Sequence, residues 1–197
     1  HSDLEGEQRK QSPSRLMSNL FLEQFDWANV RSELGDIHVF DSGCGRGTLA
    51  ARINALVGGF SSYQGIDIVE HPEWAAVTQS GLPATFNIGD VERVKDFIPE
   101  YANLFVSQSS LEHFPNDLGF FHQIEEHVTT TSNNVIQIHL FPSGACLRLY
   151  GFHGLRQYTP RTATKFAKMF SSSNSYSVLY DFGGRHSNDL HYEFITK

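Results

Sequence analysis

A glycine-rich turn between a strand and a helix constrains the fold of this chain more than any other feature. The stretch IHVFDSGCGRGT at residues 37–48 begins with a β-rich run ending at Asp41, and glycines follow at positions 43, 45 and 47. A segment compatible with a helix begins at Thr48. The order of strand, acidic residue, glycine turn and helix is how α/β proteins expose backbone N–H groups to a small ligand. The sequence therefore predicts an α/β protein with a ligand site at this turn.

The spacing of the glycines distinguishes between two kinds of ligand. A dinucleotide-binding turn has the pattern G-x-G-x-x-G, whereas here the third glycine, Gly47, comes one residue early. The pattern D-x-G-x-G-x-G instead resembles the first motif of the class I methyltransferases that use S-adenosylmethionine (SAM), of the type that acts on small molecules. The resemblance implies that SAM is the cofactor and S-adenosylhomocysteine (SAH) the product. An NAD(P)-dependent oxidoreductase on the same general sheet is the alternative that the glycine spacing disfavours.

Hydrophobic periodicity predicts an alternation of strands and helices. After an N-cap at Ser12 we expect a helix over about 13–25, and then five strands over 37–41, 63–67, 84–88, 104–107 and 135–141. Two final strands, over 176–182 and 190–195, are expected to be joined by a hairpin-type connection. The predicted fold is a Rossmann-like, seven-stranded, mostly parallel sheet with helices on both faces and one antiparallel strand near the edge, which matches the methyltransferase resemblance.

Length and composition indicate one ordinary domain. The 197 residues fit a domain over 13–197 after a mobile polar segment at 1–12. The net charge of −7 argues against a protein that coats nucleic acid, and no apolar run is long enough to span a membrane. No signal peptide is visible and two cysteines do not make a disulfide framework, so we expect a cytoplasmic protein. We expect it to act as a monomer or homodimer.

The resemblance places the cofactor at the ends of the predicted strands. Glycines let the backbone approach the methionine carboxylate of SAM, and Asp41 can anchor the turn or meet the ammonium group. The acid at the position of Asp67 binds the ribose hydroxyls in the family, and Asp90 resembles the acid that binds the adenine amino group. The cofactor-binding candidates are Asp41, Ser42, Gly43, Cys44, Gly45, Gly47, Asp67, Ile68, Gly89, Asp90, Val91, Ser107 and Gln108. The alternatives are a structural glycine turn, a solvent-exposed aspartate at 67 and a helix N-cap at 90.

The catalytic candidates follow from the chemistry of methyl transfer. The SAM sulfonium is already an electrophile, so the protein must hold the acceptor in line and, for a hydroxyl, remove its proton. The candidates near the predicted ligand-binding edge are Glu112, His113, His139 and His153, although a histidine at any one of these positions is more often packed or solvated than a base. We expect no metal site, because the five-residue spacing of two other histidines, at 122 and 127, does not suit one helix face and no cysteine pair supports zinc.

A basic and aromatic stretch follows the fifth predicted strand. Residues 141–161 break the regular alternation and carry Arg148, Arg156 and Arg161. We interpret this stretch as a substrate lid over a small-molecule or glycan-type acceptor with an anionic group, methylated on oxygen. The alternative is a loop and short helix that close the edge of the sheet, with the arginines in solvent. A catalytically silent, SAM-binding regulatory subunit also stays open, because the binding motifs are clearer than any catalytic base.

Overall fold

Five strands form one parallel sheet in the computed structural model, which describes residues 12–146 and 153–193. The strands are β1 (His38–Ser42), β2 (Ser62–Asp67), β3 (Ala84–Ile88), β4 (Leu104–Gln108) and β5 (Ile136–Leu140). Their spatial order is β3-β2-β1-β4-β5, so the chain moves outward from β1 to β3 and then returns to place β4 on the other side of β1. Such a reversal opens a crevice at the carboxyl ends of the strands, where open α/β sheets bind ligands.

Four of the seven helices in the described ranges begin at a residue whose side chain caps them. The seven helices are α1 (Pro13–Gln24), α2 (Trp27–Leu34), α3 (Thr48–Leu56), α4 (Glu73–Gln79), α5 (Asp117–Thr130), α6 (Pro160–Met169) and α7 (Arg185–His191), with short 3₁₀ helices at Val91–Asp96, Leu111–His113 and Gly144–Cys146. Ser12 Oγ accepts a hydrogen bond from the backbone of Arg15 at the start of α1, and Asn116 Oδ1 accepts one from Gly119 at the start of α5. Each cap satisfies a backbone N–H that has no partner within its helix.

The hydrophobic core lies on both faces of the sheet. Side chains alternate along β1, so Val39 faces one side and Phe40 the other. The Val39 side is covered by α1, α2 and α3, and the Phe40 side by α5, α6 and the 3₁₀ helix Val91–Asp96. Burial on two faces explains the apolar runs of β1 and β4, whereas the edge strand β3 buries only Ala84.

The structure confirms the first five predicted strands, with boundaries that move by at most one residue, and the predicted helix over about 13–25. Helices α2 and α4 were not predicted from the sequence. Within the described ranges, no helix combines the length and the apolar composition needed to cross a lipid bilayer.

The predicted sixth and seventh strands are wrong. Residues 176–182 form no strand, and most of the connection expected to be a hairpin forms the helix α7, while residues 194–195 lie outside the described residues. The sheet in the described ranges is therefore five-stranded and parallel, without the antiparallel edge strand. The alternating pattern of residues 176–182 does not reflect a strand, because two of its aromatic side chains pack on a helix. The ring centres of Tyr180 and Phe182 lie 5.3 and 5.1 Å from that of Phe21 of α1.

Candidate functional site

The glycine turn is held against the end of β2. Gly43 N and Cys44 N both donate to the carbonyl oxygen of Ile66 at 2.9 Å. Trp74 of α4 donates its indole N–H to the carbonyl oxygen of Gly45 at 2.7 Å. The turn is thus fixed by backbone contacts and one buried indole, and it lies at the crevice beside β1.

Steric contacts explain why two positions of the turn, Gly43 and Gly47, must be glycine. Gly43 and Gly47 have φ angles of +72° and +75°, which non-glycine residues seldom adopt. A Cβ on Gly43 would lie 2.5 Å from Cβ of Ser110, and one on Gly47 would lie 2.7 Å from the ring of Phe86. No side chain fits at either position, so the turn presents bare backbone.

Asp67 lies at the end of β2, where the family resemblance expects the acid that binds ribose. Its Oδ2 accepts a hydrogen bond from Gly45 N at 2.8 Å, and its Oδ1 lies 3.4 Å from Val69 N and 3.8 Å from Nε2 of His71. One oxygen therefore braces the glycine turn. The other makes only long contacts and lies where a ligand hydroxyl could replace them.

Asp41 is a buried carboxyl directly before the turn. Only 1% of its surface is exposed, and the hydroxyl of Tyr63 donates to its Oδ2. Its Oδ1 has no hydrogen-bond partner among the described residues. Burial raises the pKa of Asp41 to about 7, against the lowering effect of the Tyr63 hydrogen bond and with a further increase from Asp67. An unpartnered carboxyl oxygen of this kind can accept a hydrogen bond from an ammonium group of a ligand.

An open cleft of about 410 Å³ follows the ends of β2 and β3. It is lined by Ile68, Ile88, Gly89, Asp90, Arg93, Asp96 and Phe97. The side chains of Ile68 and Ile88 are largely exposed there, which gives an apolar surface next to a carboxylate. The Asp90 side chain also accepts a hydrogen bond from Glu92 N at 2.9 Å, so its role as an N-cap is present whether or not a ligand binds. Val91, the next candidate, is buried in the core.

The remaining cofactor candidates are engaged by neighbouring residues. The carbonyl oxygen of Ser42 accepts a hydrogen bond from Ser110 Oγ at 2.8 Å. Gln108, at the end of β4, accepts a hydrogen bond from Arg15 and donates one to Asn19, so α1 covers this strand end. Burial raises the pKa of the Cys44 thiol, which keeps it protonated.

A second cavity, of about 520 Å³, lies beyond the ends of β4 and β5. It is bounded by α1, by the segments 140–146 and 153–163, and by residues 179–191. Its lining includes many polar side chains, among them Glu112, His153 and Tyr158. Its position next to Ser109 places it one strand away from the glycine turn, which suits a pocket for a second substrate.

Glu112 and two histidines converge at this second cavity. Glu112 is only 2% exposed, and its Oε2 has no hydrogen-bond partner among the described residues. The rings of His113 and His153 are perpendicular, with centres 4.8 Å apart, and both side chains reach solvent. Burial raises the pKa of Glu112, although its backbone and the two histidines act in the opposite direction. The structure thus brings together three of the four catalytic candidates.

The fourth candidate, His139, lies apart from the other three. Its Nδ1 is 2.8 Å from Ser107 Oγ, and its ring packs edge-on against Phe121 of α5 at 5.1 Å. Burial lowers the pKa of His139 to about 4, so the ring is neutral near pH 7. It is not among the described residues that line the larger cavity. These contacts favour a structural role, and its role as a general base stays a prediction.

The arginines of the predicted lid have different surroundings. Arg156 donates to Asp117 Oδ1 at 2.8 Å and to the carbonyl oxygen of Pro115 at 2.9 Å, and Tyr158 donates to Asp117 Oδ2 at 3.1 Å. Arg156 therefore ties the segment to the start of α5. Arg161 is exposed in the first turn of α6, and Arg148 lies outside the described residues.

Sequence reasoning missed the convergence of Glu112, His113 and His153 on one point. The first two are adjacent in sequence, but the third is forty residues further along the chain. The spacing of these residues along the sequence does not predict that they meet, because only the return of the chain after β5 brings His153 to the Leu111–His113 helix.

Comparison with solved structures identifies the fold. The chain is similar to the plantazolicin methyltransferase BamL in complex with triazolic desmethylPZN analog and SAH, with a TM-score of 0.58 and 12% identity over 87% of this chain and 67% of that one. It is also similar to the plantazolicin methyltransferase BpumL in complex with SAH, with a TM-score of 0.58 and 12% identity over 84% and 67% of the two chains. The YcgJ protein from Bacillus subtilis matches with a TM-score of 0.53 and 13% identity, over 74% and 64%.

The fold is that of the class I SAM-dependent methyltransferases. The chain spans about two thirds of the length of these solved structures. No protein-family model matches the chain, and no curated protein does. The predicted resemblance to this fold class is thus confirmed by structure, at sequence identities too low for sequence matching to detect.

Proposed function

We propose that this protein is a SAM-dependent methyltransferase that transfers a methyl group to an oxygen of a small-molecule or glycan-type acceptor. The observation that carries the proposal is the glycine turn: Gly43, Gly45 and Gly47 all have positive φ angles and lie between β1 and α3, on the ligand-binding edge of a methyltransferase-type sheet. The plantazolicin methyltransferases with this fold are complexed with SAH, which supports SAM as the cofactor here.

The two cavities suit the two substrates of such a reaction. The methionine end of SAM would lie against the turn, with its ammonium group near the unpartnered Oδ1 of Asp41 and its ribose at Asp67. The adenine would occupy the open cleft between Ile68 and Ile88, with Asp90 at its amino group. The sulfonium would then face the 520 Å³ cavity, which has the volume of a small-molecule pocket.

Burial and charge support a polar acceptor. Glu112 is a buried carboxyl in the wall of the acceptor cavity, and such a group can receive a proton or bind a hydroxyl. Of the predicted lid arginines, Arg156 is neutralised by Asp117, so an anionic group on the acceptor would have to be bound by other cations.

The binding experiment is calorimetry with SAM, SAH and NADH, using Asp67→Asn and the matched control Asp36→Asn. Asp36 is exposed and lies at the opposite end of the sheet, just before β1. We expect SAM and SAH to bind the native chain and NADH to give no heat. Because hydrogen bonds to charged groups contribute about 1.5–3 kcal/mol, Asp67→Asn should weaken SAH binding by roughly 10- to 100-fold and Asp36→Asn should not. Absence of heat with both SAM and SAH, for folded protein, would overturn the proposal, and NADH binding would support the oxidoreductase instead.

A catalytically silent SAM-binding subunit is the second candidate, and the position of His139 favours it, because this potential base bonds to Ser107 and is not among the described residues that line the acceptor cavity. Turnover separates the two candidates. Release of SAH from SAM in the presence of a panel of hydroxyl acceptors supports the enzyme, whereas tight SAM binding without SAH release over the panel supports the silent subunit.

The setting that we propose for this activity is the cytoplasm, with the protein acting as a monomer or homodimer. Both cysteines are free thiols, which suits a reducing compartment, and the net charge of −7 argues against a nucleic-acid substrate.

A further inference from the structure

Glu112, His113 and His153 have the geometry of a metal-binding group. One ligand atom from each residue lies within 4.8 Å of the other two. Two of them come from the 3₁₀ helix Leu111–His113 at the end of β4, and the third comes from the segment that returns after β5. Two imidazoles and a carboxylate form the ligand set of many catalytic zinc sites, which keep a further position open for water or substrate.

The Glu112 carboxyl is buried with one oxygen that lacks a hydrogen-bond partner among the described residues. Glu112 is 2% exposed, and its Oε2 accepts no hydrogen bond from the described residues. Buried polar atoms are nearly always paired, because leaving a carboxylate oxygen without a partner costs several kcal/mol for the charged form. A cation bound between Glu112 and the two histidines would satisfy this oxygen.

The segment that carries His153 is held directly against Glu112. Leu155 N donates to the carbonyl oxygen of Glu112 at 2.8 Å. Gly154 has a φ of +73°, and a Cβ there would lie 3.0 Å from Cγ of Glu112. A glycine is therefore needed next to His153 for the two segments to approach so closely, and the backbone contact fixes the separation of the ligands.

The required adjustment for metal binding is small. With bonds of about 2.0–2.1 Å, the ligand atoms of a tetrahedral zinc site lie roughly 3.3 Å apart. The present separations are at most 4.8 Å, so the ligand atoms would have to approach one another by roughly 1.5 Å or less when the ion binds. Hard oxygen-loving cations such as Mg²⁺ would not choose a site with two imidazoles.

Contrary to the expectation from sequence spacing, we propose that Glu112, His113 and His153 bind a Zn²⁺ ion at the wall of the acceptor cavity. Glu112 and His153 both line that cavity, so the open coordination position faces it. The metal site stands on the geometry alone. Its role as the place where an acceptor oxygen binds rests additionally on the proposed methyltransferase function.

In that role the ion would bind the acceptor hydroxyl and lower its pKa. The hydroxyl proton passes to water, and the oxygen attacks the methyl carbon of SAM. The new O–CH₃ bond forms as the S⁺–CH₃ bond breaks, and the electron pair of that bond stays on sulfur, which yields neutral SAH. No oxidant or reductant is involved. This arrangement selects acceptors that offer an oxygen able to bind zinc.

The test is calorimetric titration of the metal-free native protein with ZnCl₂, without SAM, and with CoCl₂ to record the visible spectrum of the bound ion. The variants are Glu112→Gln, His153→Ala and the control His122→Ala, an exposed histidine on α5. We expect one Zn²⁺ per chain. Loss of outer hydrogen-bond partners of metal ligands already weakens binding about 10- to 100-fold, so removing a ligand should weaken it by at least about 100-fold. His122→Ala should bind as the native chain does.

His153→Ala keeps the test decisive if Glu112→Gln does not fold, because His153 is exposed. Absence of zinc binding, or equal weakening by His122→Ala and His153→Ala, overturns the metal site and leaves the SAM-binding proposal intact. Zinc binding in a chain that binds neither SAM nor SAH supports the site and overturns the proposed function. The acceptor role is overturned if zinc binds but SAH release is the same with and without the ion.

Discussion

The two halves of the ligand-binding edge are built in different ways. In the cofactor half, around β1 to β3, the site is mainly backbone: three glycines, a strand end and two carboxylates within 27 residues of one another. In the acceptor half, beyond β4 and β5, the site is made of side chains from segments that are far apart in sequence, such as Glu112, His153 and His191.

The two halves differ in what holds them in place. The glycine turn is held by backbone hydrogen bonds to Ile66 and by the close approach of Ser110 and Phe86, which leaves no room for a Cβ. The acceptor half is held by particular side-chain contacts, such as the ion pair of Arg156 with Asp117. A surface of bare backbone suits a constant ligand, whereas a cavity lined by side chains suits a variable one.

The largest effect is expected from Asp41→Asn, as a change in the pH dependence of folding. The pKa of Asp41 is about 7 in the folded protein, against an ordinary value of 3.8. The protonated carboxyl therefore stabilises the fold fully below about pH 4, and this stabilisation is lost as the pH rises through 7. At 1.36 kcal/mol per pKa unit, the loss is on the order of 4 kcal/mol. Urea unfolding of the native protein and of Asp41→Asn between pH 4 and 8 should show that the free energy of unfolding of the native protein decreases, relative to that of the variant, as the pH rises.

A difference between the two chains that does not change with pH would mean that Asp41 is already ionised in the folded protein at pH 4. The buried-carboxyl description of the cofactor half would then be wrong.

Gly43→Ala comes next, with Gly58→Ala as the matched control. Both glycines have φ near +70°, but a Cβ at Gly43 meets Ser110 at 2.5 Å and one at Gly58 meets nothing within 4 Å. Left-handed backbone costs an alanine about 1–2 kcal/mol and overpacking about 1–3 more. Unfolding free energies should fall by about 3 kcal/mol for Gly43→Ala and by the smaller strain alone for Gly58→Ala. Equal losses would show that the turn is not sterically closed.

The acceptor half is tested by Arg156→Ala against Arg161→Ala. Removing Arg156 leaves Asp117 without its ion pair and frees the carbonyl oxygen of Pro115. We expect a loss of about 2 kcal/mol in unfolding free energy, because hydrogen bonds to charged groups are of that size. Arg161 is exposed, so its removal should change stability by less than about 0.5 kcal/mol.

The same pair of variants tests the lid interpretation. If Arg156→Ala is as stable as the native chain but loses turnover, this arginine contacts the acceptor instead of holding the segment. If both variants keep stability and turnover, the anionic-acceptor interpretation fails for these two residues.

Most of the central fold could be predicted because its signals are local. The apolar runs of β1 to β5 and the cap at Ser12 are short patterns whose physical cause lies within a few residues. The segment 176–182 failed for the opposite reason. Its alternation resembles that of a strand, but nothing local states that only Tyr180 and Phe182 contact Phe21 of α1 while Tyr176 and Val178 stay exposed.

In the candidate site, too, the residues with local sequence patterns could be predicted and those that depend on long-range contacts could not. The glycines of the turn and Asp67 could be placed because their spacing from β1 and β2 is sequential. The roles of the histidines could not, because a histidine's role depends on what faces it. His139 faces Ser107 and the rings of α5, whereas His153 faces Glu112, and no sequence pattern separates the two cases.

The amino-acid sequence by itself determined the glycine turn and the five strands of the sheet, because glycine spacing and hydrophobic periodicity are patterns over short distances along the chain. Only the tertiary structure decided that Arg185–His191 forms a helix beside α1 and that a carboxylate and two imidazoles meet at the acceptor cavity. Those outcomes depend on contacts between segments tens of residues apart, whose approach is set by the packing of the whole core and not by any one stretch.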